Sequence, residues 1–153
     1  MRTVDTLWIA APPERVFHRA AAVLDWPRIL PHYRWVRMRE ERSDGCLVEM
    51  AAWRPFGPLR WPTWWLSEMR VDRERREVHY RHVGGVTTGM AVRWSVAAEG
   101  SGSRATILHE WSGPAWPLLG SRAADWVIGP VFVHAIASRT LAGIGRAAEA
   151  DDE

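Results

Sequence analysis

The sequence predicts an α+β fold: a seven-stranded antiparallel sheet wrapped around one long C-terminal helix, with two short helices between the first and second strands. Three observations lead there. Residues 121–150 carry small and apolar side chains at steps of three and four, through Ala124, Val127, Ile128, Val131, His134, Ala135, Ser138, Leu141, Ala142, Gly145 and Ala148, which is the period of one helix face. Residues 2–9 and six later segments between residues 34 and 112 alternate in polarity and are cut by turn residues. The helix is also mostly small where it should meet a sheet rich in large side chains, which leaves room for a pocket.

Each element has its own signal. In residues 2–9, Val4, Thr6 and Trp8 share one face and Thr3, Leu7 and Ile9 the other, as in a strand. Pro12 and Pro13 open a helix where a missing N–H costs nothing, and Glu14 suits its first turn. Val16, Phe17, Ala20 and Leu24 supply its expected buried stripe, and Asp25-Trp26-Pro27 starts a shorter helix ending at Pro31. Strands are expected over 34–41, 46–53, 61–72, 77–83, 88–98 and 103–112. They are separated by a Ser43-Asp44-Gly45 turn, a proline-broken loop at 54–58, a charged turn at 73–76, Gly84-Gly85 and Gly100-Ser101-Gly102. The segment 113–117 leads to the last helix, in which Pro130 predicts a kink or restart, read as a static kink ahead of the alternative that the first turns act as a gate. An antiparallel meander puts alternate connections at one end, so residues 31–33, 54–60, 84–87 and 113–120 should gather around a common mouth.

Composition bounds the function. The 153 residues are read as one domain, 1–153, large enough to bury a core. No apolar run is long enough to span a membrane, and no secretory leader precedes the first strand, so a cytoplasmic location is expected. Cys46 is alone, which excludes a disulfide framework and a cysteine metal site. All lysine-type positive charge is carried by arginine, and Lys, Asn and Gln are absent, a pattern fitting either a heat-adapted host or a GC-rich coding bias. The net charge is only +2 and the arginines are interspersed with acids, so nucleic acid is not an expected partner.

The chain resembles the START-like helix-grip superfamily (SRPBCC proteins), in particular its polyketide cyclase/dehydrase and lipid-transport branch. The resemblance covers almost the whole chain. It rests on Ala11-Pro12-Pro13-Glu14-Arg15-Val16-Phe17, Trp26-Pro27, Trp64-Trp65-Leu66-Ser67-Glu68, Gly89-Met90-Ala91-Val92-Arg93-Trp94 and residues 137–144. It implies a hydrophobic cavity between sheet and helix that takes a lipid, quinone or polyketide. For the polyketide aromatase/cyclases it implies a tyrosine after the second helix, matched by Tyr33, and an arginine on the fourth strand, a position that falls here on Met69 with Arg70 on the opposite face. The expected function is binding or transport of such a ligand, with aromatase/cyclase or dehydrase chemistry and a protein-interaction module as alternatives.

Strand alternation directs Trp65, Met69, Tyr80, His82, Met90, Trp94, His109 and Trp111 toward the cavity, and the helix stripe adds His134. Pairing through the glycine turns sets Tyr80 opposite Val92, His82 opposite Met90, Val92 opposite His109 and Met90 opposite Trp111. Tyr33, His82, His109 and His134 are therefore the candidate catalytic groups, for proton transfer within the cavity. The same histidines also fit a purely structural role, each tied to a core partner. No carboxylate supports them as metal ligands, so no metal is expected, and no phosphate loop or dinucleotide fingerprint calls for a cofactor. Trp53, Trp61, Trp64, Trp65, Trp111, Trp116 and Phe56 gather at the mouth. They suit a lid, core packing, or peripheral contact with a bilayer whose phosphates Arg54 and Arg60 would meet. The expected assembly is a monomer or homodimer.

Overall fold

The computed structural model describes residues 1–56, 58–113 and 133–150. Strand β1 (Arg2–Ile9) is followed by α1 (Pro13–Ala21), a 3₁₀ turn (Val23–Asp25) and α2 (Trp26–Ile29). Strands β2 (Tyr33–Arg42), β3 (Gly45–Phe56), β4 (Leu59–Asp72), β5 (Glu77–Gly85), β6 (Ala91–Glu99) and β7 (Gly102–Glu110) come next, and α3 (His134–Ala150) is last. All seven strands form one antiparallel sheet in the order β1-β7-β6-β5-β4-β3-β2, so the first strand closes beside the last. The expected fold class holds among the described residues. The predicted kink at Pro130, the first part of the helical stripe, Trp116 and the rest of the 113–120 connection lie outside them.

Helix α1 begins as expected, with Pro13 in its first turn and Val16, Phe17 and Ala20 buried. Leu24 is exposed instead, because the chain leaves α1 into the 3₁₀ turn and Val23 takes the inward place. Strand pairing follows the predicted registers: Tyr80 faces Val92 and Val92 faces His109. The His82 N–H donates to the Met90 carbonyl at 2.9 Å. The β5–β6 turn needs glycine at Gly85, where φ is +92° and a Cβ would stand 2.3 Å from the Trp64 carbonyl oxygen.

Two expectations change. Strand β3 does not stop at Trp53 but runs on through Arg54 and Pro55, pairing with Trp61 and Arg60 of β4. Strand β2 reaches only to Tyr33, opposite Ala52, so beyond that point one edge of β3 pairs with no strand among the described residues. A proline is tolerated there because its missing N–H breaks no ladder. The helix stripe is also rotated. Ala137, Thr140, Leu141, Ile144 and Ala148 are buried, whereas His134 and Ser138 are exposed. The rotation brings Gly143 against Leu30, where an added Cβ would meet Leu30 Cδ2 at 2.2 Å. A side chain there would have to displace the end of Leu30.

Candidate functional site

Between the sheet and α3 lies a cavity of about 60 Å³. The large side chains of the sheet that face inward come close to filling the space that the small helix residues leave. Its walls come from β2–β7, α2 and α3, and they mix apolar side chains such as Trp65, Trp94 and Ile107 with Tyr33, Arg54, Tyr80, His82, His109 and Thr140. Two of its apolar walls are methionines, Met50 and Met90, both buried.

Tyr33 enters at the start of β2, its ring edge-on to Trp26 at 5.1 Å and to Trp65 at 6.0 Å. Burial raises the affinity of its hydroxyl for its proton, and a hydrogen bond with Thr140 partly opposes that. Thr140 in turn donates to the Ile136 carbonyl at 2.8 Å and meets His32 Nε2 at 2.9 Å. The phenol is therefore neutral at physiological pH and fixed in place.

His82 projects inward from β5, stacked on Trp65 with ring centres 6.0 Å apart. Its Nδ1 lies 2.7 Å from the Thr87 hydroxyl, which the glycine-dependent turn after β5 delivers. Burial, and then the neighbouring His109 and Arg54, lower its pKa to about 3. Burial and Arg54 lower that of His109 to about 4. Both rings are neutral at pH 7, which makes them hydrogen-bonding groups and weak bases. His109 Nδ1 and the Tyr80 hydroxyl are shielded from solvent and meet no hydrogen-bond partner among the described residues. Thr3 Oγ1, Asp5 Oδ2 and Ser67 Oγ share that condition, but none of them lines the cavity.

Arg54 is the wall residue that strand alternation could have revealed. Val48, Met50 and Ala52 point inward along β3, and Arg54 is the next position of that parity. It is 6% exposed, with Nε 3.3 Å from the Thr63 hydroxyl, so it does not reach out from a loop toward lipid. Burial lowers its pKa to about 10, against the opposing influence of Tyr33, and it stays a cation at neutral pH. No carboxylate belongs to the described cavity wall.

The cavity gathers Trp65, Tyr80, His82, Met90, Trp94, His109 and Tyr33 from the sequence-derived set. It leaves out three. Met69 is buried beside Tyr80 but outside the cavity wall. Trp111 is buried with its Nε1 donating to the Thr88 carbonyl at 3.0 Å. His134 is turned away: its side chain is 65% exposed and its Nδ1 pairs with the buried Asp5 carboxylate, because the rotated stripe puts residues 133 and 137 inward. Arg70 points outward as expected and pairs with Asp44 at 2.6 Å. Of the tryptophans assigned to the mouth, Trp61 and Trp64 are exposed and Trp53 stacks under Arg34. No group of three or more His, Cys, Asp or Glu among the described residues is placed to hold a metal ion.

The sequence model of the family described as polyketide cyclase / dehydrase and lipid transport matches residues 9–132. The chain belongs to this family. Solved structures agree on the fold. TTHA0849 from Thermus thermophilus is similar with a TM-score of 0.82 at 18% identity, covering 100% of both chains. The Zhui aromatase/cyclase from Streptomyces sp. R1128 is similar with a TM-score of 0.81 at 20% identity, covering 100% of this chain and 96% of that one. A START superfamily protein from Mycobacterium smegmatis is similar with a TM-score of 0.67 at 13% identity, covering 98% of this chain and 95% of that one. No curated protein matches the sequence. Family and fold fit a protein that binds a hydrophobic ligand or acts as a polyketide cyclase or dehydrase. Among the described residues no helix is long and apolar enough to cross a membrane.

Proposed function

We propose that this protein binds a small hydrophobic molecule bearing a carbonyl or phenolic oxygen, held in the cavity between the sheet and α3. The observation that carries this reading is the pair of shielded polar atoms, the Tyr80 hydroxyl and His109 Nδ1, which belong to two residues of the cavity wall and have no partner among the described residues. Leaving such groups unsatisfied costs about 1–3 kcal/mol each, and a ligand oxygen offers the missing bond. The Arg54 guanidinium lines the same cavity and adds a positive charge there. Trp65, Trp94 and Ile107 supply apolar contact. A lipid, quinone or polyketide fragment has this chemistry. A cavity of about 60 Å³ is well below the roughly 300 Å³ of an ordinary ligand pocket, so admission requires the wall to move. Met50 and Met90 are the flexible side chains suited to that. We take the cytoplasm as its compartment, where an unpaired thiol such as Cys46 stays reduced.

A second reading, aromatase/cyclase chemistry, is favoured by one observation. The arginine missing from β4 is replaced by Arg54 on the adjacent strand, inside the cavity and electrostatically coupled to Tyr33. A fixed cation beside a neutral phenol suits stabilisation of an enolate oxygen. The weakly basic histidines suit orientation of a carbonyl more than proton abstraction.

The test is native mass spectrometry of gently purified protein, followed by solvent extraction. A stoichiometric adduct is expected, and its extract should contain an oxygenated aromatic, quinone, lipid or polyketide. An adduct that is a plain hydrocarbon, or an apo protein that takes up none of these classes when they are added, contradicts the proposal.

A further inference from the structure

A second concavity lies on the surface, on the other side of the His32–Thr140 contact from the cavity. It measures about 340 Å³ and is lined by Leu30, Pro31, His32, Trp53, Arg60, Arg139, Ala142 and Arg146. Three arginines line it, and among the described residues no carboxylate does. The arginines come from two elements. Arg60 is near the start of β4, and Arg139 and Arg146 stand seven residues apart on α3. Seven residues are two helical turns, so both lie on one face about 10 Å apart along the axis. Arg34 stacks 4.7 Å from the Trp53 ring centre and puts a fourth cation behind that wall.

Many of the arginines elsewhere on the surface are paired. Arg2, Arg39, Arg42, Arg70, Arg76 and Arg104 each meet a carboxylate at salt-bridge distance. Arg60, Arg139 and Arg146 form no ion pair among the described residues, on a chain whose net charge is only +2. Like charges held around one concavity raise its potential and attract an anion. Three planar guanidiniums match the several oxygens and double charge of a phosphate better than a single carboxylate does. Leu30, Trp53 and Ala142 give the groove an apolar floor beside them. The pKa of His32, lowered to about 4 by burial and then by Arg139, reports the same positive field.

We infer that the groove formed by Arg60, Arg139 and Arg146 is a binding site for a phosphate group, carried either by a soluble phosphate ester or by a lipid headgroup. The site is separate from the cavity and does not depend on what the cavity holds. One hydrogen-bonded contact, His32 Nε2 to Thr140 Oγ1 at 2.9 Å, joins the two, because Thr140 also lines the cavity.

The experiment has two arms. Isothermal titration with inorganic pyrophosphate at low salt should give saturable one-to-one binding. Arg139→Ala, Arg146→Ala and Arg60→Ala should each weaken it by about tenfold, while Arg2→Ala on the edge strand leaves it unchanged. Flotation with phosphatidylcholine vesicles, with and without phosphatidylglycerol, is run on the same proteins. Pyrophosphate binding without flotation assigns the site to soluble esters. Flotation only with phosphatidylglycerol, lost in the groove variants, assigns it to headgroups. The melting temperature of each variant separates loss of binding from loss of fold, and the three variants sit on two different elements. Absence of saturable binding together with absence of flotation overturns the inference, as does a loss in Arg2→Ala equal to that in the groove variants.

Discussion

On the outer face of the sheet, Glu49 of β3 is buried and its carboxylate accepts hydrogen bonds from Arg39 and from Trp64 Nε1, the latter at 2.6 Å. On the inner face, across the same sheet, the Tyr80 hydroxyl and His109 Nδ1 are shielded just as well and meet no partner among the described residues. Both faces thus remove polar groups from water, but Glu49 has its donors in place while the Tyr80 hydroxyl and His109 Nδ1 have no partner among the described residues. A buried group with its partners in place helps to hold a fold together. Groups that converge on a cavity without partners lower stability and are left available for something the cavity receives. If the cavity receives a ligand oxygen as proposed, the inner face is where the chain gives up stability for it.

That contrast can be broken most sharply with acid. Burial holds His82 and His109 near 3 and 4, below the 6.5 that each regains on unfolding. The unfolded chain therefore binds more protons below about pH 6.5. The stability they permit is complete above that pH and is lost as pH falls toward 4 and then 3. The slope for each buried histidine is about 1.4 kcal/mol per pH unit. Urea midpoints at pH 7 and pH 5 should differ accordingly, and His109→Leu should flatten the slope by about the share of one proton. Equal midpoints at the two pH values contradict the inner-face account. A smaller effect belongs to the outer face. Glu49→Ala leaves Arg39 and the Trp64 indole without their acceptor and should cost about 1–2 kcal/mol in urea denaturation, with ligand uptake by the cavity unchanged. Uptake lost in step with stability would mean that the two faces are not separable. The smallest stability effect is expected for Tyr80→Phe. Its hydroxyl has no partner to orphan, so stability should stay within about 0.5 kcal/mol or rise.

The fold was legible because its signals are local and repeated. Alternation fixes strand faces, and Gly85 and Gly102 fix the turns, so the pairings of Tyr80, Val92 and His109 followed without tertiary information. The site was legible only where it sits on strands. Helical phase is less certain when small residues occur on several faces, and the stripe drawn through His134 and Ser138 omitted Ile136 and Ile144. Those two isoleucines were the signal for the true face, since Ile144 is fully buried and Ile136 lines the cavity. Arg54 was hidden by Pro55, whose presence reads as the end of a strand unless the neighbouring strand is known to stop first. The Asp5–His134 pair joins residues 129 apart in sequence, and no pattern in either segment announces it. The arginine groove likewise joins β4 to α3 and exists only once the chain is folded.

The most direct measurement compares the affinity of the protein for 2-naphthol with that for naphthalene, followed by quenching of the tryptophans that line the cavity. The two probes differ by a single hydroxyl. If Tyr80 and His109 are held for a ligand oxygen, 2-naphthol should bind about tenfold or more tightly, and Tyr80→Phe should erase much of that preference without lowering stability. Equal affinity for the two probes in the unaltered protein would show that the cavity's polar groups are not there to receive a ligand.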